Sequence, residues 1–102
     1  SKIFSNNIPS KSDSTIARLE QNGALPVAKS NVPEWAGGHT FNPVYGVTKN
    51  PFNKNKIAGG SSGGSSVALA TKQVWLATGN DLGGSLRTPA SFNNIVGLLL
   101  HA

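Results

Sequence analysis

The sequence predicts an α/β fold. Two observations carry that prediction. Short helical patterns alternate with short apolar, strand-like runs. The longest Gly/Ser tract runs at once into an apolar segment, where a flexible spacer would run into polar sequence.

The elements follow in order. Residues 1–11 read as loop. "SDSTIARLEQNG" reads as a short helix: Asp13 or Ser14 can cap its orphan N–H groups. Ile16 and Leu19 share one face, and Gly23 is placed to end it in the left-handed region. "ALPVAK" reads as a short strand in which Pro26 removes a ladder donor, so it sits at an edge or a strand start. Residues 30–57 carry four turn signals, Asn31-Val32-Pro33, Gly37-Gly38, Asn42-Pro43 and Asn50-Pro51, and read as one long irregular region. Long loops of this kind inside a small domain are frequently functional. "SSVALATK" opens a second helix and "VWLAT" is a buried-strand candidate. "TPASFNN" starts a third helix with Thr88 as cap and Pro89 at its first position. "IVGLLL" is the last strand candidate.

Composition limits the function classes. The chain has 102 residues, 37% of them apolar and 13% charged, against roughly 25% charged in an average globular protein. That is one small domain with a thin core. Surface of this kind, neither charged nor strongly apolar, suits cover by another part of the same protein. Nine Lys and Arg against four Asp and Glu give a net charge of +5. The basic residues are scattered, with only Lys49, Lys54 and Lys56 close together, so a nucleic-acid surface is not expected. There is no cysteine, which excludes thiolate metal sites and fits a reducing, cytoplasmic setting. His39 and His101 lack ligand spacing, so no metal site is expected. The run "IVGLLL" is far too short to span a membrane.

Chemistry concentrates in two Gly-Gly-Ser stretches, "AGGSSGGSS" at 58–66 and "DLGGSLRTP" at 81–89. Glycine lets backbone N–H groups approach a ligand without a Cβ in the way. Successive inward N–H groups form a nest for an anion, and in acyl transfer that anion is the tetrahedral oxyanion. A serine closing such a loop is a nucleophile if a base takes its proton. "DLGGS" offers both parts: Leu82, Gly83 and Gly84 as donors, Ser85 as nucleophile. A phosphate loop is the rival use of the same backbone, but the Gly-Lys-Ser/Thr ending of a P-loop is missing. A Ser-His-Asp triad needs a histidine, and nothing local ties His39 or His101 to Ser85.

Taken together, "AGGSSGGSSVALA", "GNDLGGSLRTPASFNNIVGL", "DSTIARLEQNGALPVAKSNVPEW" and "FNPVYGVTKNPFN" resemble the amidase signature family, serine hydrolases of amides. The resemblance covers nearly the whole chain. It implies a fragment of that fold, a mixed β-sheet core flanked by helices, with residues 1–102 forming a partial domain. It matches Ser85 to the acyl-forming nucleophile and Ser61 to a relay serine on a cis peptide bond, 24 residues upstream. It matches Leu82 to Ser85 to the oxyanion-hole loop and Trp35 to a segment lining the substrate channel. Asp81 and Arg87 are read as loop supports. No cofactor or metal is implied.

The pattern departs from the family in three places. The family's catalytic lysine stands in an upstream segment that Lys2, Lys11 and Lys29 do not match, so the base is expected outside these residues and the segment alone is expected to be inactive. Asn80 stands where Thr or Ser is usual. The ending "GLLLHA" replaces Gly-Leu/Phe-Lys/Arg-Pro. The expected activity of the whole protein is amide hydrolysis through a Ser-Ser-Lys triad on a small-molecule amide. The alternatives are the glutaminase subunit of a tRNA-dependent amidotransferase, or a non-catalytic remnant or binding module. A homodimer or amidotransferase subunits are the partners the resemblance allows.

Overall fold

Three short helices and one two-residue hairpin surround a polar centre in the computed structural model, which describes residues 1–100. His101 and the last residue of the "GLLLHA" ending lie outside the described residues. Helix α1 spans Ser14–Gln21, and Asp13 caps it by accepting the Thr15 N–H at 2.8 Å. It ends as expected at Gly23, whose φ is +90°. The Gly23 N–H reaches the Glu20 carbonyl and the Ala24 N–H the Leu19 carbonyl, each at 3.0 Å. This is the paired bonding of a Schellman stop. Ile16 and Leu19 are half-buried on the inner face.

Helix α2 spans Gly63–Ala70 and α3 spans Arg87–Phe92. Thr88 does not cap α3. The helix begins at Arg87, two residues before the expected start at Pro89; Leu86 occupies the cap position without a side-chain bond, and Pro89 is third. The reason lies just upstream: the Asp81 carboxylate binds the Leu86 and Arg87 N–H groups at 3.2 and 3.3 Å. A side chain five residues away thus serves the first turn.

The irregular region 30–57 is organised by asparagine. Strands β1, Phe41–Asn42, and β2, Gly46–Val47, pair antiparallel with Phe41 opposite Val47. The Asn42 side-chain oxygen Oδ1 accepts the Val44 and Tyr45 N–H groups at 3.0 and 2.8 Å. Asn50 repeats the device on Phe52 and Asn53 at 2.9 and 3.2 Å. Both Asn-Pro signals are therefore side-chain-closed turns. Asn31 ties this region together, donating to Thr48 Oγ1 at 2.9 Å and to the Gly46 carbonyl at 3.2 Å. Its backbone carbonyl accepts the Gly64 N–H at the start of α2 at 3.2 Å.

The three strand candidates do not form strands. "ALPVAK" is irregular and exposed, as are most of "VWLAT" and "IVGLLL". Trp75 is fully exposed and Leu98 is 71% exposed. Apolar runs have strand propensity, but a strand needs a partner for its ladder, and the hairpin is the only sheet among the described residues. What the fold supports is a mixed α/β fragment.

The buried interior is polar. Pro33, Ala58, Pro89 and Ala90 are its buried apolar side chains, beside Thr40, Asn42, Asn50, Ser61, Ser62, Ser65, Ser66 and Asn93. The Asn93 amide nitrogen donates to the Ala58 carbonyl at 2.7 Å, the Pro89 carbonyl at 2.8 Å and Ser66 Oγ at 2.9 Å. These bonds lock α2, α3 and the start of the Gly/Ser tract into one unit. Among the described residues no helix is long and apolar enough to cross a membrane.

Candidate active site

The two Gly-Gly-Ser stretches, distant in sequence, lie side by side. Residues 58–62 lead into α2 and residues 81–86 lead into α3, so the packing of α2 on α3 brings their preceding loops together. Ser62 makes the junction. Its N–H donates to the Ser85 carbonyl at 3.2 Å. Its hydroxyl accepts the Asn80 N–H at 3.3 Å and contacts the Asn80 carbonyl at 3.5 Å. Asn80, the departure from the family pattern, is held here by its backbone, and these contacts do not use its side chain.

The serines of the tract divide by what their hydroxyls do. Ser62 bridges the loops as above. Ser65 donates to the Thr78 carbonyl at 2.9 Å, and Ser66 donates to the Pro89 carbonyl at 2.8 Å. Ser61 and Ser85 make no side-chain hydrogen bond among the described residues. Ser61 is 4% exposed and Ser85 is half-buried. The Gly60–Ser61 peptide bond is cis.

Asp81 builds the second loop. Its carboxylate accepts the Gly84 N–H at 2.6 Å besides those of Leu86 and Arg87. Arg87 closes the arrangement with Nε and Nη2, each at 3.0 Å, on the two carboxylate oxygens. The Asp81 side chain is shielded from solvent while that of Arg87 is 63% exposed. The Arg87 guanidinium holds the Asp81 carboxyl well below the usual carboxylate range. Desolvation opposes this, and the Gly84, Arg87 and Leu86 N–H groups reinforce it. Asp81 in turn raises Arg87. The pair thus stays ionised and fixes the curve of residues 81–87, which is a supporting role.

In the expected oxyanion loop the donors are unequal. The Gly84 N–H is engaged by Asp81, whereas those of Leu82, Gly83 and Ser85 have no acceptor among the described residues. Gly84 has φ +106°, a conformation open to glycine and strained for other residues. Leu82 is fully exposed.

Trp35 belongs to neither of these loops. It lies in a short 3₁₀ turn, Glu34–Ala36, with φ 57°, and is 75% exposed. Its ring meets Phe4 edge-on at 6.2 Å. Both line a surface cavity of about 240 Å³ with Asn31, Asn42 and Tyr45. Neither Ser61 nor Ser85 lines that cavity. His39, in the adjoining loop, is exposed.

Sequence reasoning missed two residues that shape the site. Ser62 was readable only as the neighbour of Ser61. Thr40 carried no signal, since a threonine between a Gly-Gly turn and an Asn-Pro turn reads as loop. It is 1% exposed and bonded to the Gly/Ser tract.

Comparison with known proteins agrees with the loops. The family model described as Amidase matches residues 1–99. The chain belongs to the amidase family, as the resemblance read from its loops implied. Among curated proteins it is similar to the A subunit of the glutamyl-tRNA(Gln) amidotransferase of Syntrophobacter fumaroxidans, 46% identical over 99 residues, which are 96% of this chain and 20% of that protein. The protein of that name from Lactiplantibacillus plantarum is also 46% identical over 99 residues, with the same coverage. The one from Lachnospira eligens is 43% identical over 99 residues, 96% of this chain and 21% of that protein. The chain spans about a fifth of the length of the curated relatives it matches.

Proposed function

We propose that these residues are the serine-bearing part of an amidase signature domain that hydrolyses amide bonds through an acyl-enzyme. The observation that carries this reading is the division among the serines. Of those in the two apposed loops, Ser61 and Ser85 alone keep their hydroxyls uncommitted among the described residues, while Ser62, Ser65 and Ser66 are tied into the structure.

In the proposed reaction Ser85 Oγ attacks the amide carbonyl carbon. Its proton passes through Ser61 to a lysine supplied by the remainder of the longer protein. The carbonyl oxygen becomes an oxyanion held by backbone N–H groups of the 82–85 loop, where Leu82, Gly83 and Ser85 have donors to give. The C–N bond breaks as Ser61 returns a proton to the leaving amine, which leaves the acyl group on Ser85. Water then adds to the ester carbonyl and its proton is taken by the same relay, releasing the acid and restoring Ser85. The sequence consumes one water and needs no redox partner. The lack of cysteine goes with a cytoplasmic setting.

The relatives favour a second reading within the same chemistry. Each is named as the A subunit of a glutamyl-tRNA(Gln) amidotransferase. In that reading the amide is the side chain of glutamine, ammonia is the leaving group, and the protein works with partner subunits. Glutamine-dependent ammonia release and co-purifying subunits distinguish it from a free-standing amidase.

The test uses the full-length protein. Ser85→Ala is expected to end fluorophosphonate labelling and to lower turnover by roughly 10⁴–10⁶-fold, the range met when members of a serine triad are removed. Unchanged labelling removes Ser85 as nucleophile. Wild-type protein that neither labels nor turns over any amide leaves the non-catalytic remnant in place.

A further inference from the structure

We propose that Thr40 is the positioning residue for Ser61, an inference that rests on reading Ser61 as the proton relay. Thr40 is buried at 1% exposure, and its hydroxyl and N–H are both engaged by the Gly/Ser tract. Its hydroxyl proton is shared between the Gly59 carbonyl at 2.9 Å and the Ser61 carbonyl at 3.2 Å. The same oxygen accepts the Gly63 N–H at 2.9 Å. Its own N–H donates to the Gly59 carbonyl at 3.1 Å. One residue therefore grips the backbone before and after Ser61 and at Ser61 itself.

The fit is close as well as polar. A Cβ built on Gly60 would lie 2.5 Å from the Gly38 carbonyl oxygen, 2.7 Å from His39 Cα and 2.8 Å from Thr40 N. Residues 38–40 thus form the floor on which the Gly60–Ser61 unit rests. Among the described residues Ser61 makes no side-chain bond, so what the fold fixes is its backbone, and with it the place from which its hydroxyl starts. The hydroxyl of Thr40 sets the backbone. A relay needs this, because proton transfer falls off steeply when the groups are misplaced by about 1 Å.

The experiment compares Thr40→Val, Thr40→Ser, Thr40→Cys and Ser61→Ala in the full-length protein, reading the rate of fluorophosphonate labelling at Ser85 and the melting temperature. Thr40→Val keeps the shape and removes the hydroxyl. It is expected to slow labelling by roughly 10–100-fold, the scale of loss from slight misplacement, and to add no further loss on a Ser61→Ala background. Thr40→Ser keeps the hydroxyl and is expected to label at close to the wild-type rate. Thr40→Cys, a weaker donor in the same place, decides the matter if the valine variant does not fold: slowed labelling supports the assignment and a wild-type rate overturns it. Thr40→Val at the wild-type rate, with Ser61→Ala slow, overturns the role of Thr40 and leaves the relay standing. Thr40→Ser as slow as Thr40→Val, with equal loss of melting temperature, reduces Thr40 to packing and overturns it too. Ser61→Ala at the wild-type rate removes the relay itself, and the proposal with it.

Discussion

Asp81 concentrates more structure in one carboxylate than any other side chain of the site, since it gathers three backbone N–H groups and a guanidinium. Its folded form prefers the ionised state, so its pKa lies below the ordinary 3.8. By linkage, the stabilisation is fully present above pH 3.8 and is lost as pH falls from there through the lowered folded value. Asp81→Asn removes this part of the acid response. Urea midpoints of the full-length protein and the variant should therefore differ at neutral pH, and the difference should shrink progressively as pH falls below about 4. Gly64 gives a second prediction at this scale. A Cβ there would overlap the Asn31 carbonyl oxygen and stand 2.5 Å from Asn31 N. Both are backbone atoms that cannot rotate away, so Gly64→Ala should destabilise by about 1–3 kcal/mol, the usual scale of overpacking. Chemical denaturation measures it.

At the scale of elements, the helices share a way of stopping. Gly23, Lys72 and Asn94 follow α1, α2 and α3 with φ of 90°, 59° and 54°. In each case the next N–H reaches back to a carbonyl in the last turn: Ala24 to Leu19, Gln73 to Ala68, Ile95 to Ala90. Gly23 was legible because glycine advertises the left-handed conformation, whereas lysine at position 72 does not. Lys72 holds that conformation against its Cβ, which costs roughly 1–2 kcal/mol. Glycine relieves this but loosens the unfolded chain by about 0.4–1 kcal/mol. Lys72→Gly should therefore raise stability by up to about 1.5 kcal/mol, read as a higher melting temperature. The strand candidates failed for a different reason. Their apolar runs record a demand for burial, while a strand is a relation between two segments.

The whole molecule reverses the usual layering. Thr40, Ser61, Ser62, Ser66 and Asn93 are buried, whereas Ile8, Trp75, Leu82 and Val96 are at least 90% exposed. Its radius of gyration is nonetheless 13.7 Å, near the about 13 Å of a compact 100-residue domain. Hydrogen bonds among small polar side chains do the joining, and apolar surface is left outside. So many large exposed apolar side chains on a small chain leave it with unusual apolar surface. The 102-residue chain produced alone should bind a hydrophobic dye strongly. Its tryptophans, 75% and fully exposed, should be quenched freely by acrylamide. A chain that binds no dye and shields Trp75 contradicts this surface.

The amino-acid order by itself determined what is local or carried by a dense pattern. Asp13 as cap, Gly23 as stop and the two Asn-Pro turns depend on neighbours within a few residues, and the family was written in the two Gly-Gly-Ser loops together with the helix-strand and Asn-Pro segments that precede them. Tertiary structure decided which groups meet. It placed Ser62 against Ser85 and Asn80, moved the capping of α3 from Thr88 to Asp81, and engaged Gly84 while leaving its neighbours open. It also set Thr40 beneath Ser61, 21 residues away. The physical reason is the same throughout. A hydrogen bond between segments distant along the chain depends on how the helices pack, and neither partner's own sequence neighbourhood contains the other.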